Sequence, residues 1–206
     1  MKRGSSLAVV IAACLTTSPP PLWAQAKTDT AAQGSASFTA GDVEFMSGMI
    51  YHHAQAVMIA GWAPSHGASQ SVQALCERIV VGQRDEIALL QTWLRNHHQA
   101  VPDPSHEMMG MPGMAGAHAS MPGMLTPAQL AQLDSAKGTD FDRLFLRLMI
   151  QHHQGAITMV NQLFAGKGSG EEETVYRMAA NIFGDQTTEI ARMQQMLIPL
   201  LLQGKS

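Results

Sequence analysis

Cysteine and charged residues are scarce in this sequence, and each shortage excludes a class of protein. The 206 residues include two cysteines, and one of them, Cys14, lies in a predicted N-terminal leader. Cys76 alone would remain after cleavage, so the mature chain cannot form an intramolecular disulfide. Charged residues make up 14% of the chain and the formal net charge is −3. A protein that binds nucleic acid through its charge is therefore not expected.

The motifs of several enzyme classes are absent as well. Neither Gly-x-Ser-x-Gly, nor a phosphate-binding loop, nor a dinucleotide-binding fingerprint occurs in the chain. The Glu-x-x-His motif of di-iron helical bundles is also missing. We therefore expect a protein that is not an enzyme, and a metal-dependent redox enzyme of the ferritin-like class is the alternative.

The N-terminus has the parts of a bacterial secretory signal peptide. Lys2 and Arg3 precede an apolar run over residues 7–15, and small residues at 24–26 fit a cleavage site. The apolar run is too short to span a bilayer. We predict that residues 1–26 are removed and that the protein is periplasmic or secreted, with no transmembrane segment in the mature chain. In the alternative, residues 11–14 act as a lipobox and Cys14 carries a lipid anchor.

Methionine and histidine are abundant, with 15 and 9 residues, and much of this excess lies in an internal repeat. Residues 49–53 read Met-Ile-Tyr-His-His, and residues 149–153 read Met-Ile-Gln-His-His. A second pattern, Gln-x-x-Glu-Ile, occurs at residues 83–87 and again at 186–190. The chain is therefore a duplication in which each half carries one copy of both patterns.

Both repeated patterns predict helices, because the apolar residues around them recur at spacings of three and four. Helix breaks are expected at residues 64–67 and 166–170, and Thr126-Pro127 is typical of the start of a short additional helix. We predict an all-α, ferritin-like antiparallel four-helix bundle made of two tandem helical hairpins. The first hairpin covers residues 38–98, the crossover 99–125 and the second hairpin 126–206. Residues 38–206 would form one domain, preceded by a flexible segment, 27–37.

The duplicated histidine pairs form the first candidate metal site. Each pair follows a methionine by three residues, so a thioether and an imidazole lie on one helix face. This combination of ligands suits Cu(I) and Ag(I) better than Mg²⁺ or Ca²⁺. The alternative is a duplicated hydrogen-bonding motif of the core. The candidate ligands are Met49, His52, His53, Met149, His152 and His153.

Glu86 and Glu189 are carboxylates on otherwise apolar helix faces, at equivalent positions of the repeat. A buried carboxylate needs a partner. Three roles stay open: direct metal ligation, a hydrogen bond that orients a histidine, or pairing with an arginine or the backbone. We count both residues among the metal-site candidates.

The crossover forms the second candidate site. Proline and glycine prevent a regular helix there, so its methionines have no core to fill, and they could wrap a soft cation instead. The alternative is a linker without function. The candidate ligands are His97, His98, His106, Met108, Met109, Met111, Met114, His118, Met121 and Met124.

The two sites are expected to be separate, the helical one ordered and the crossover a flexible segment for metal capture. Deleting residues 99–124 should then lower the copper stoichiometry but leave one ordered copper per bundle. Thioethers do not titrate, whereas imidazoles must be neutral to bind metal. We therefore expect the Cu(I) affinity to fall modestly below about pH 6.

Residues 42–58 and 141–159, with the two Gln-x-x-Glu-Ile blocks, resemble the bacterial family known as domain of unknown function 305. The resemblance covers residues 38–202. It implies a ferritin-like bundle and an exported protein of copper resistance or trafficking, since the family includes a cyanobacterial periplasmic copper-binding protein. Its implied cargo is Cu(I), and often Ag(I), held by the Met-x-x-His-His residues. A copper-exporting or copper-receiving envelope protein is the implied partner. Homo-oligomerisation and a purely structural bundle stay open as alternatives.

Overall fold

The computed structural model describes residues 37–104 and 120–203, which form five α-helices and, within these ranges, no strands. The predicted signal peptide, the lipobox with Cys14, and residues 105–119 of the crossover lie outside the described residues. Within the described ranges, none of the helices combines the length and the apolar character needed to cross a bilayer. The helices are α1 (Ala40–Ala60), α2 (Gln70–Asn96), α3 (Pro127–Ser135), α4 (Gly138–Ala165) and α5 (Glu173–Gln203).

Two of the helix starts are fixed by capping boxes. The Thr39 hydroxyl accepts from the Asp42 N–H at 3.2 Å, and the Asp42 carboxylate accepts from the Thr39 N–H at 2.7 Å, which fixes the start of α1. Thr126 and Gln129 make the same exchange before α3, where Pro127 occupies the first turn. The short helix predicted from Thr126-Pro127 is therefore present.

The helices pair as two antiparallel hairpins. The Phe38 ring packs edge-on against Trp93 at 5.4 Å, so the start of α1 lies beside the end of α2. Arg143 donates to the Leu200 carbonyl oxygen at 3.3 Å, so the start of α4 lies beside the end of α5. The contacts between the hairpins are made mainly by α1 and α4. The all-α prediction is confirmed.

Two aspartates at equivalent positions of the repeat connect the hairpins. Asp42, near the start of α1, accepts a hydrogen bond from the Gly170 N–H at 2.6 Å. Asp142, near the start of α4, accepts from the Ser69 N–H at 3.1 and 3.2 Å. Each buried carboxylate thus satisfies a backbone donor just before the outer helix of the opposite hairpin. The same bond, made twice, is what an approximate twofold relation between the two hairpins predicts.

The apolar core consists of two clusters, one on each side of the middle of α1 and α4. The first cluster combines the second half of α1 with the first half of α4, and it includes Ile59, Met149 and the buried Cys76. The second cluster combines the first half of α1 with the second half of α4, and it includes Met49 and Val160. The histidine pairs lie between the two clusters on α1 and α4.

Candidate metal centre

Four fully buried imidazoles meet in the middle of the bundle. The rings of His52 and His152 face each other, with centroids 3.9 Å apart and planes inclined by 39°. Within each pair, the ring of His53 lies 6.5 Å from that of His52, and the ring of His153 lies 6.2 Å from that of His152. The duplicated pairs therefore form one layer, which we call the histidine layer, between the two apolar clusters.

Carboxylates from the outer helices contact the outer two imidazoles. Nε2 of His153 donates to Oε2 of Glu189 at 2.6 Å. Nε2 of His53 lies 2.7 Å from Oε2 of Glu86, although this contact lacks the alignment of a hydrogen bond. A carboxylate on Nε2 leaves the lone pair on Nδ1, which is how carboxylates orient metal-binding histidines in many proteins. Of the three roles left open, the geometry favours this one for Glu189, whereas for Glu86 it shows a close contact with His53 without a hydrogen bond.

His52 is oriented by a backbone carbonyl. Its Nε2 lies 3.0 Å from the Pro122 carbonyl oxygen, which can only accept, so the proton is on Nε2 and the lone pair on Nδ1. His152 is different, because neither of its ring nitrogens makes a well-aligned hydrogen bond in the described part of the chain, although an interaction with the His52 backbone opposes the lowering of its pKa. The two facing imidazoles are therefore not equivalent.

Burial keeps the two facing imidazoles neutral. Burial, followed by the nearby His53, lowers the pKa of His52 to about 3. Burial, followed by His52, lowers the pKa of His152 well below its ordinary value. Both rings are therefore neutral at physiological pH, which is the form that binds metal ions.

Unpaired polar atoms are concentrated in the repeated motifs. Among the residues that the structure describes, every buried side-chain nitrogen or oxygen without a hydrogen-bond partner belongs to six residues. Buried polar groups normally have partners, so such a concentration points to a ligand. The six residues are His52, His53, His152, His153, Gln83 and Gln186. The two glutamines begin the Gln-x-x-Glu-Ile patterns but were not among the predicted ligands, although their repetition was the signal for them.

The two helical methionines lie on opposite sides of the histidine layer. Met49 is fully buried in the second cluster and Met149 in the first, each one turn before a histidine pair. In the ranges 37–104 and 120–203, no three His, Cys, Asp or Glu side chains are arranged to hold a metal ion. An ion in the layer would therefore need a thioether or another donor in addition to the imidazoles.

A family model described as domain of unknown function (DUF305) matches residues 42–197. The chain belongs to the DUF305 family. A DUF305 fragment from Deinococcus radiodurans is 30% identical, with a TM-score of 0.65, and the match covers 78% of this chain and 97% of that one. The structure of CopM in its Cu(II)-bound form is 28% identical, with a TM-score of 0.60, covering 77% and 96% of the two chains. CopM in its Cu(I)-bound form is 25% identical, with a TM-score of 0.57 and coverage of 78% and 96%. No curated protein sequence matches.

The predicted ligands of the crossover fall into three groups: His97 and His98 at the end of α2, six residues outside the described ranges, and Met121 and Met124 near the histidine layer. His97 donates to the Trp93 carbonyl oxygen at 2.8 Å and stacks on the Trp93 ring, and His98 is exposed. His97 lies eleven residues beyond Glu86, about 16 Å along α2, so neither histidine joins the layer. Six predicted ligands lie outside the described residues: His106, Met108, Met109, Met111, Met114 and His118.

The end of the crossover lies against the histidine layer. Met121 packs on the second cluster and Leu125 is buried in the first, whereas Met124 is half-buried. The prediction that the methionines of the crossover have no core to fill is therefore wrong for Met121, and Leu125 at the end of the crossover is buried as well. The physical reason is that Gly123 in the crossover and Gly155 in α4 allow the two backbones to approach closely.

Proposed function

We propose that this DUF305 protein is an exported copper-binding protein that sequesters Cu(I), with Ag(I) as its analogue, or hands it on in copper homeostasis. One observation carries this proposal: four buried imidazoles meet in one layer with Nδ1 atoms that have no hydrogen-bond partner in the described chain. The protein would bind the metal as cargo and would not catalyse a reaction.

The chemistry of the layer favours a soft cation. Neutral imidazoles suit copper, and thioethers suit Cu(I) in particular, whereas Mg²⁺ and Ca²⁺ prefer oxygen ligands. Met49 and Met149 each lie one turn before a histidine pair, on the same helix. We infer that the imidazoles of the layer and at least one thioether hold the ion, while Glu86 and Glu189 orient His53 and His153.

The structural relatives support the same cargo. CopM has been crystallised in Cu(I)-bound and Ag-bound forms, and the Ag-bound form is 26% identical to this chain with a TM-score of 0.54. The predicted signal peptide would bring the protein to the cell envelope, where external copper is first met. An envelope protein that exports or receives copper is the partner that this role implies.

Metal analysis of matched double variants tests the proposal. The full chain should retain Cu(I) or Ag(I) after gel filtration, and His52→Leu/His152→Leu should lose the tightly bound ion. Leucine is similar in volume to histidine and removes buried polar atoms, so the fold should survive. His97→Gln/His98→Gln removes an adjacent histidine pair outside the layer and is the matched control, which should keep the ion. Loss of metal in the control alone would contradict the proposal.

A purely structural histidine layer is the second candidate function. It is favoured by the finding that no three His, Cys, Asp or Glu side chains among the described residues are arranged to hold an ion. In that case the wild type and the His52→Leu/His152→Leu variant should contain equal, negligible amounts of metal.

A further inference from the structure

We propose that residues 121–125, which we call the strap, are part of the metal site: the Pro122 carbonyl fixes the proton of His52, and Met121 supplies a thioether ligand. This inference rests on the proposed function and deepens it. The sequence suggested a separate, flexible capture segment, whereas the strap contacts both histidine helices at the level of the layer.

The strap is held to α1 by a buried side chain. Gln55 accepts from the Leu125 N–H at 2.7 Å and donates to the Leu125 carbonyl oxygen at 3.2 Å. Both polar groups of the Leu125 backbone are therefore satisfied by one amide. Gln55 lies three residues after His52, so the attachment is one turn from the imidazole that the strap contacts.

The strap is held to α4 by direct backbone contact. Gly123 has a φ of 76°, and a Cβ atom there would lie 2.7 Å from the Gln151 carbonyl oxygen. A Cβ atom on Gly155 would overlap the Pro122 carbonyl oxygen. Only glycine at both positions allows the strap to lie this close to the backbone beside His152.

The position of the strap determines which ring nitrogen of His52 keeps its lone pair for a metal ion. The Pro122 carbonyl oxygen accepts a hydrogen bond from the Nε2–H of His52, so the proton stays on Nε2 and Nδ1 keeps its lone pair. Metal-binding histidines usually donate their other ring N–H to a carboxylate or a backbone carbonyl in this way. Pro122 therefore does for His52 what Glu189 does for His153, and it acts as a positioning residue.

Met121, next to Pro122, brings a thioether to the same place. Its Sδ lies 3.4 Å from where the Cβ of Gly48 would be, and Gly48 is one helical turn before His52. Residues four apart on a helix have Cβ atoms about 5–6 Å from each other, and methionine has three rotatable side-chain bonds. We infer from this placement that the Met121 thioether is the further donor to an ion at His52 Nδ1.

The strap lies where the two repeats differ. Gln55, which binds Leu125, is equivalent to Gly155, which makes room for Pro122. Gly48, which makes room for the Met121 sulfur, is equivalent to Leu148, a buried core residue. Two of the positions at which the repeats differ therefore accommodate one strap, as expected if it serves a single asymmetric site.

Site-resolved NMR of the full chain tests the role of Met121, with Ag(I) as the redox-stable probe. Methyl-labelled methionine and ¹⁵N-labelled histidine would be followed during addition of substoichiometric Ag(I). The Met121 methyl signal, assigned from its loss in Met121→Leu, should shift together with His52 Nδ1. Met121→Leu should lower the Ag(I) affinity of the layer tenfold or more. Met178→Leu, which replaces another half-buried methionine packed on the second cluster but away from the strap, is the control and should lower it less than threefold.

The outcomes separate this inference from the proposed function. If Ag(I) shifts the histidine signals but leaves the Met121 methyl signal unchanged, the inference is overturned while the proposed function stands. The same holds if Met121→Leu binds Ag(I) like the wild type and His52→Leu/His152→Leu does not. If Ag(I) shifts none of the four layer histidines, both fail. The wild-type Met121 signal reports the shift directly, and the assignment from Met121→Leu holds when the other methionine methyl signals of that variant keep their wild-type positions.

Discussion

The buried imidazoles predict that the metal-free protein loses stability under mild acid. Burial lowers the pKa of His52 to about 3, whereas an imidazole in the unfolded chain titrates near about 6.5. Between these two pH values, His52 is protonated in the unfolded chain but stays neutral in the folded chain. The contribution of His52 to stability is therefore complete above about pH 6.5 and is lost as the pH falls towards 3.

The size of the effect follows from the pKa difference. A pH of about 5 lies roughly 1.5 units below the pKa of an imidazole in the unfolded chain. Each unit corresponds to about 1.4 kcal/mol, so the buried, neutral His52 lowers the free energy of unfolding by about 2 kcal/mol at this pH. The pKa of His152 is lowered in the same direction and for the same cause, and it adds to the loss. Asp185 opposes it, because burial and the charges of Glu86 and Glu189 raise the pKa of its carboxyl group. A loss of about 2 kcal/mol is large against a typical total of 5–15 kcal/mol.

Urea denaturation of the chelator-treated protein, followed by helical circular dichroism, measures this loss. The free energy of unfolding should be lower at about pH 5 than at about pH 7.5, by at least about 2 kcal/mol. His152→Leu removes one buried imidazole and should show a clearly smaller difference between the two pH values. His98→Asn removes an exposed imidazole at a positive φ of 55°, which asparagine tolerates, and should keep the wild-type difference.

Two results would refute this reasoning about the layer. One is equal stability at both pH values, which would mean that the imidazoles accept protons in the folded state. The other is a His152→Leu variant with the full wild-type pH dependence, which would place the acid sensitivity elsewhere in the chain.

Three further predictions concern the strap and the carboxylates. Gly155→Ala should lower the unfolding free energy by about 1–3 kcal/mol in urea denaturation, because the new methyl group overlaps the Pro122 carbonyl oxygen. The control is Gly184→Ala, at a helical position with open space, which should raise the unfolding free energy by up to about 1 kcal/mol. Gln55→Met should lower the unfolding free energy by about 2–4 kcal/mol in the same assay, since it leaves the Leu125 N–H and carbonyl group unpaired. Gln154→Met, at an exposed position, should change it little, and equal effects of the two variants would contradict the Gln55–Leu125 bonds. Glu189→Gln should lower Cu(I) affinity about 10–100-fold in a competition titration with a chromophoric chelator, because the amide is a weaker acceptor for His153 than the carboxylate. Glu171→Gln, at an exposed position, should have no effect. An unchanged affinity in Glu189→Gln would show that the His153–Glu189 hydrogen bond does not contribute to metal binding.

The sequence was sufficient to predict the helices and much of the layer. Spacings of three and four place Met49 and His52 on one face of α1, and the duplication implies that the second pair occupies the equivalent place on α4. The contacts of Glu86 and Glu189 with the outer histidines were among the roles left open. Gln83 and Gln186 were not predicted as part of the site, because a glutamine in a helix is usually exposed, and only their repetition indicated otherwise.

The contacts of the strap could not be predicted, because the Pro122 and Leu125 backbone groups that make them carry no sequence signature. Gly155 and Gln55 would have been informative only once the two repeats were compared for their differences as well as their similarities.

These contacts change how the candidate sites should be separated by experiment. Deleting residues 99–124 would remove the carbonyl that orients His52, so it would impair the helical site together with the crossover. Substitution of the crossover methionines one at a time is therefore the sharper experiment. The expected pH dependence changes as well. With a pKa of about 3, His52 should keep its affinity for metal well below pH 6, because protons compete for its Nδ1 only in stronger acid.

The strap also determines how many sites the layer offers. Four imidazoles related by an approximate twofold axis would, if left alone, present two equivalent half-sites. The strap contacts only one of the facing rings. His52 has a fixed proton and a thioether nearby, whereas neither ring nitrogen of His152 makes a well-aligned hydrogen bond in the described chain. The rings of His52 and His152 are only 3.9 Å apart, so one ion bound at His52 lies within reach of His152, whereas a second ion beside it would meet strong charge repulsion. We therefore expect the layer to saturate at one Ag(I) or Cu(I) per chain. A layer that binds two ions with equal affinity would show that the strap does not distinguish the two halves.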